Sequence, residues 1–168
     1  MRAAASEIRI NMPIADVWAR LRDLTLAANY VPSVKSVRMD TDAAEGVGAS
    51  RTVFLNDGSD MQETVEEWTD GGGFLLRLHK GDKPAMPIFS AFQFRYEIED
   101  DGAGATIFRP ALLYKTRFGP IGWAIGKLAH EKMVQSAHEV GVGLKQYYES
   151  GEPVSDEKWK ELRAQMKG

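Results

Sequence analysis

One uninterrupted helical pattern near the end of the chain limits the fold more than any other feature. Gly119-Pro120 opens it, and it runs to about Glu149, ahead of Gly151 and Pro153. Proline just inside a helix start and glycine just past its end are the expected punctuation. At ~1.5 Å per residue the helix is on the order of 45 Å long. Steps of ~100° per residue gather Gly122, Gly126, Ala129, Met133, Ala137, Val140, Gly141, Leu144 and Tyr148 on one side. Lys127, Glu131, Gln135, His138, Glu139, Lys145 and Gln146 take the other, with Leu128 and Val142 breaking the rule. A solitary helix of this length must bury its stripe against something.

What precedes it is mostly strand. Glu7–Met12 alternates, with Ile8, Ile10 and Met12 on one face. Pro13 then opens a helix whose stripe is Ile14, Val17, Trp18, Leu21 and Leu24, and a second short helical turn at Leu26–Tyr30 stops at Pro32. Six strand patterns follow: Val34–Met39, Arg51–Leu55, Met61–Trp68, Phe74–Leu78, Phe89–Ile98 and Thr106–Lys115. Asn56-Asp57-Gly58, Asp70-Gly71-Gly72-Gly73 and Asp100-Asp101-Gly102 between them are hairpin signals. Connections this short require antiparallel neighbours. The order predicts an α+β fold: a curved seven-stranded antiparallel sheet wrapped around a long C-terminal helix, with two short helices between the first and second strands. Ser155–Lys167 predicts a short extra helix, capped by Ser155, with Trp159, Leu162 and Met166 as its stripe.

Composition excludes several function classes. The 168 residues suit one domain, and no cysteine is present for disulfides, thiolate chemistry or Cys-ligated metal. A net charge of −3 offers no overall basic field for nucleic acid or an anionic membrane. MRAAASEIRI lacks the apolar core of a signal peptide, and no apolar run approaches the roughly 20 residues that span a bilayer. The expectation is a cytoplasmic protein with no integral membrane segment; a homodimer stays open.

Several stretches together resemble a known family. Ile10-Asn11-Met12-Pro13-Ile14-Ala15-Asp16-Val17-Trp18, then Tyr30-Val31-Pro32-Ser33-Val34-Lys35-Ser36-Val37, Gly48-Ala49-Ser50-Arg51, Glu63-Thr64-Val65 and Leu144-Lys145-Gln146-Tyr147-Tyr148-Glu149 are similar to the START-like helix-grip superfamily (SRPBCC), in its polyketide cyclase/dehydrase and lipid-transport branch. The likeness covers nearly all of residues 7–150. It implies a helix-grip domain over residues 1–152, with 153–168 as a helical extension. The shared property it implies is a cavity between sheet and helix, not a set of catalytic residues. Members include lipid carriers, hormone receptors, cyclases and dehydratases.

Arg51 and Glu63 lie on strands joined by the Asn56-Asp57-Gly58 turn, and the resemblance implies that both point into the cavity, with Lys35 a weaker third. The plainer reading is an exposed cross-strand pair. Phe92, Phe94, Tyr96 and Ile98 alternate on one strand, and Phe108, Leu112 and Tyr114 on the next, as core or as pocket lining. Gly126, Ala129, Ala137 and Gly141 mean either close helix–sheet packing or room for a guest. His130 sits beside Gly126 and Met133, as a structural histidine or as a hydrogen-bonding partner of a ligand. His138 reads as solvated, and the three histidines have no metal spacing. No cofactor is expected. His79–Ile88, with Gly81, Pro84 and Pro87, is long for a hairpin loop and reads as a surface loop or a lid. Neither G-x-S-x-G nor a Rossmann glycine loop is present. The function expected is binding or transport of a small hydrophobic, lipid- or polyketide-like ligand; the alternative is a cyclase, aromatase or dehydratase in the same cavity.

Overall fold

A computed structural model describes residues Met1–Gly168. Its long helix, α2, spans Gly119–Ser150 and ends at Gly151, whose φ of +77° suits glycine. The strands are β1 (Arg2–Ala5), β2 (Ile8–Ile10), β3 (Val34–Met39), β4 (Ser50–Leu55), β5 (Asp60–Thr69), β6 (Gly73–Lys80), β7 (Lys83–Pro84), β8 (Phe89–Asp100), β9 (Thr106–Phe108) and β10 (Ala111–Thr116). Between β2 and β3 lie α1 (Ile14–Leu21) and a 3₁₀ helix over Leu24–Asn29. The tail forms α3 (Asp156–Lys167), and the Ser155 hydroxyl accepts from the Lys158 amide at 3.1 Å as expected of its cap.

All the strands pair antiparallel, in the order β1-β10-β8-β6-β5-β4-β3, with β2 on β9, β9 also on β8, and β7 on β6. Seven strands therefore make the main path, but not the seven expected. The 106–115 pattern breaks at Arg109-Pro110 because Pro110 has no N–H for the ladder. The edge beside it breaks in step. β1 runs along β10 and β2 along β9, while the Ser6 amide donates to the Pro110 carbonyl at 3.0 Å. The expected Glu7–Met12 strand is thus shorter, and Arg2–Ala5 is an added strand. Its Arg-Ala-Ala-Ala sequence has no apolar alternation, and only the pairing with β10 makes it one.

One main core joins the inner face of the sheet to α1 and α2. Val17, Trp18 and Leu21 of α1 are buried. Trp18 stacks edge-on to Trp68 at 5.1 Å, Trp68 on Phe74 at 5.4 Å, and Phe74 on Tyr96 at 4.8 Å. This aromatic file fills one end of the sheet–helix interface. On α2 the expected face is buried at Gly122, Gly126, Met133, Ala137, Val140, Gly141, Leu144 and Tyr148. Its glycines serve close approach. A Cβ on Gly126 would stand 2.8 Å from Thr116 Cγ2, and one on Gly141 would stand 2.6 Å from Ile8 Cγ1. Of the two readings of the small-residue stripe, packing holds at both positions. α3 docks by the same device, because a Cβ on Gly143 would strike the Trp159 ring and the Tyr30 carbonyl.

Candidate functional site

Arg51 and Glu63 face each other directly across β4 and β5. Their side chains point inward, and Arg51 is 2% and Glu63 8% exposed. The exposed cross-strand reading is therefore excluded. The Glu63 carboxylate accepts from Arg51 Nε at 2.7 Å and lies 2.6 Å from Nη2, while Arg51 Nη1 donates to the Leu24 carbonyl. Burial works against the guanidinium charge, but the carboxylate beside it, helped by Tyr96 and Tyr30, outweighs that and raises the Arg51 pKa above its ordinary value. Burial also pushes the phenol of Tyr96 well up, with Tyr30 acting the same way and Arg51 opposing. Tyr96 is thus held in its protonated form beside a fixed cation.

The pair lies in the wall of a recess of about 140 Å³ between sheet and α2. Fifteen residues line it, eleven of them hydrophobic. Phe92, Phe94 and Tyr96 from β8 line it as expected. Leu55 and Met61 do so too, and period 2 predicts them once Arg51 and Glu63 are known to face inward. Ala27 comes from the 3₁₀ helix, and Val31 and Ser33 from the turn before β3, where no periodicity points inward. The helix contributes Ser136 and Val140.

Outside the recess lies a groove of about 440 Å³. Val31, Ser33, Leu55, Ser136 and Val140 line both, so the two are adjacent. The rim of the groove is Pro32, Asn56-Asp57, Lys132, Glu139 and Arg163 of α3. Arg163 pairs with Glu139 at 3.1 Å.

The other expected site residues lie elsewhere. Lys35 is exposed, beside a bulge in the β3–β4 pairing, and does not line the recess. Tyr114, Gly126 and His130 form a separate packed group. The Tyr114 hydroxyl lies 2.9 Å from His130 Nδ1 and 3.3 Å from the Gly126 carbonyl. The phenol proton satisfies the carbonyl when Nδ1–H supplies the second bond, and these contacts join helix to sheet. Met133 belongs to the core. His138 is half-buried rather than solvated, because its Nδ1 bonds the Ser6 hydroxyl at 2.8 Å at the β1–β2 break. His79 is buried between Thr64 Oγ1 and the Gly81 carbonyl, at 2.8 Å from each. The stretch after it folds back as β7 on β6, and no residue between His79 and Ile88 lines the recess. The recess adjoins the groove at Val31, Ser33 and Leu55 instead.

Similarity to known proteins agrees with this architecture. The family model for polyketide cyclase / dehydrase and lipid transport matches residues 1–149. The chain belongs to that family. Among solved structures, TTHA0849 from Thermus thermophilus is 18% identical with a TM-score of 0.67, over 89% of this chain and 99% of that one. Ara h 8.0201 is 14% identical at 0.66, over 89% and 98%. DynU16, a protein in the dynemicin biosynthetic locus, is 18% identical at 0.65, over 90% of this chain and 48% of that one. At these identities the likeness establishes the helix-grip fold. No curated protein matches the chain in sequence. No helix is long and apolar enough to cross a membrane.

Proposed function

We propose that this family member binds one small, largely apolar molecule of lipid- or polyketide-like character between sheet and α2, anchored by Arg51 and Glu63. The observation that carries the reading is a buried ion pair in the wall of an otherwise apolar recess. Burying two charges costs several kcal/mol each, roughly, before pairing offsets it. Apolar residues would serve stability at least as well. A fixed cation and carboxylate, with the Tyr96 phenol, instead suit a carbonyl, hydroxyl or carboxylate on a guest. The recess matches the size of a cavity that takes benzene, ~150 Å³. The groove outside it lies within the ~300–1,000 Å³ of drug-sized sites. A compact, mostly apolar part inside, with an oxygen set on Arg51 and Glu63, and a more polar end along the groove is the shape these linings support. In this reading residues 1–152 are the binding domain and α3 is an extension that borders its opening.

Native mass spectrometry of the purified chain, followed by titration with fatty acids and aromatic polyketide analogues, tests this. Retained or added ligand should be lost in the Arg51→Met/Glu63→Leu variant while circular dichroism stays unchanged. Equal binding by both proteins, or by neither, overturns the reading.

A cyclase, aromatase or dehydratase in the same recess is favoured by one observation, that the Tyr96 phenol lines it together with Arg51 and Glu63. Tyr96 would donate a hydrogen bond to a developing enolate oxygen while the walls hold the chain folded. His130 and Tyr114 do not line the recess. Tyr96→Phe should then keep binding and lose turnover of a poly-β-keto analogue; unchanged turnover removes Tyr96 from the chemistry.

A further inference from the structure

The N-terminal half of α2 has the wrong surface for a helix end that meets only water. Ile121 is 70% exposed and Leu128 81%, and Phe118, Trp123 and Ile125 are exposed with them. Single exposed apolar residues are ordinary, but several on adjacent turns mark an interaction face; Ile121, Ile125 and Leu128 share one side at helical spacing, and Trp123 stands on the other flank of the same turns. Phe118 sharpens the point. It holds the left-handed backbone conformation, φ +67°, that favours glycine, and it does so with its ring in solvent. Neither stability nor solubility calls for phenylalanine there.

The charge around this face is as uneven as its hydropathy. The chain carries −3 overall, yet no carboxylate occurs between Asp101 and Glu131. Lys115, Arg117, Lys127 and Lys132 are exposed around the apolar residues, against Glu131 alone in the first half of the helix. Arg2 and Lys127 lie over the Trp123 ring at 5.5 and 5.7 Å. Met86, exposed on the neighbouring hairpin, is accompanied by Lys80, Lys83 and one acid, Asp82. The whole-chain charge, which excludes an overall basic field, averages away this basic end.

We propose that the first turns of α2 are a docking face for an anionic lipid surface. Tryptophan, phenylalanine, isoleucine and leucine ringed by lysine and arginine make the composition of a helix lying in the headgroup layer, and indole favours that depth. A second copy of the chain fits worse. A two-fold contact sets each patch against itself, and that would bring two basic borders together, each with Arg117, Lys127 and Lys132 against Glu131. The face also leads somewhere. Ile121, Ile125, Leu128 and Lys132 follow at helical spacing along one side of α2, and Lys132 is on the rim of the groove outside the recess. Docking would turn that groove toward the bilayer. The proposal stands whether or not the recess takes the guest proposed above.

The test is sedimentation of the full chain with phosphatidylcholine vesicles, with and without phosphatidylglycerol, at low and high salt. Binding should require phosphatidylglycerol, fall as salt rises, and shift Trp123 emission to the blue. Ile121→Asp/Leu128→Asp should abolish it with the melting temperature unchanged. Lys127→Glu/Lys132→Glu should reduce partitioning roughly tenfold or more. Absence of binding to anionic vesicles at low salt overturns the proposal, as does binding that survives both double variants. So does a wild-type dimer in light scattering that Leu128→Asp splits while vesicles leave the monomer unbound.

Discussion

Arg51–Glu63 and Tyr114–His130 are both polar groups set against the apolar inner face of the sheet, and both were candidates from sequence. They differ in what surrounds them. Around Tyr114 the space is taken, and a methyl added at Gly126 would press on Thr116 and approach the Tyr114 ring. Its hydrogen bonds go to the helix it holds. Around Arg51 the backbone leaves a recess, and the Leu24 carbonyl and Glu63 hold the guanidinium at its wall. Residue type did not separate the two; unfilled volume did. A polar group becomes a recognition point only where packing stops short of it.

The largest effect should come from stranding a charge. Glu63→Leu alone leaves the Arg51 guanidinium buried without its carboxylate and should cost about 3–5 kcal/mol in urea unfolding. A loss below about 1 kcal/mol would mean that Leu24 and water compensate and that the pair is not held as described. Replacing both, Arg51→Met with Glu63→Leu, should restore most of that stability, since well-packed apolar replacements of buried ion pairs are roughly neutral or better. The same variant should lose the ligand, and that divergence of stability from binding is the sharpest mark of a recognition role. At the packed group, Tyr114→Phe should cost about 1 kcal/mol, the worth of one buried hydrogen bond, and leave ligand affinity untouched. A fall in affinity there would dissolve the contrast between the two groups. The smallest effect belongs to Tyr148, which has neither space nor partner. Its hydroxyl is buried and unbonded, and burial raises its pKa. Tyr148→Phe should leave the melting temperature unchanged or slightly higher, because it removes an unsatisfied polar atom; a clear loss of stability would reveal a hidden partner.

Much of this was legible in the chain. β3 is Val34–Met39 as period 2 predicts, and α2 begins and ends within a residue of the pattern set by Pro120 and Gly151. Arg51 and Glu63 were legible as a facing pair because a short turn fixes register, and register fixes which side each residue faces. Which of those sides was buried came from the resemblance and not from the alternation. β1 was invisible, since its residues become a strand only by pairing with β10. His130 stands at the edge of the buried stripe, where a 100° step does not say what it meets. The first turns of α2 are apolar on nearly every side, so the pattern could not tell the covered residues from the exposed ones. The recess owes its position to Val31 and Ser33 as much as to any strand, and turn residues carry no period that aims them.

The rim of the outer groove joins Val31–Ser33, the β4–β5 turn, α2 and, through Arg163, a helix that lies past the residues matched by the family. A guest held as proposed above would cross that rim in both directions, so the height of the crossing would cancel from the equilibrium and survive only in the rates. Contacts kept in the bound state would then be the balance, setting how much guest is held, and contacts made only in passing the clock, setting for how long. Arg163, at the edge of the groove, would put α3 with the clock.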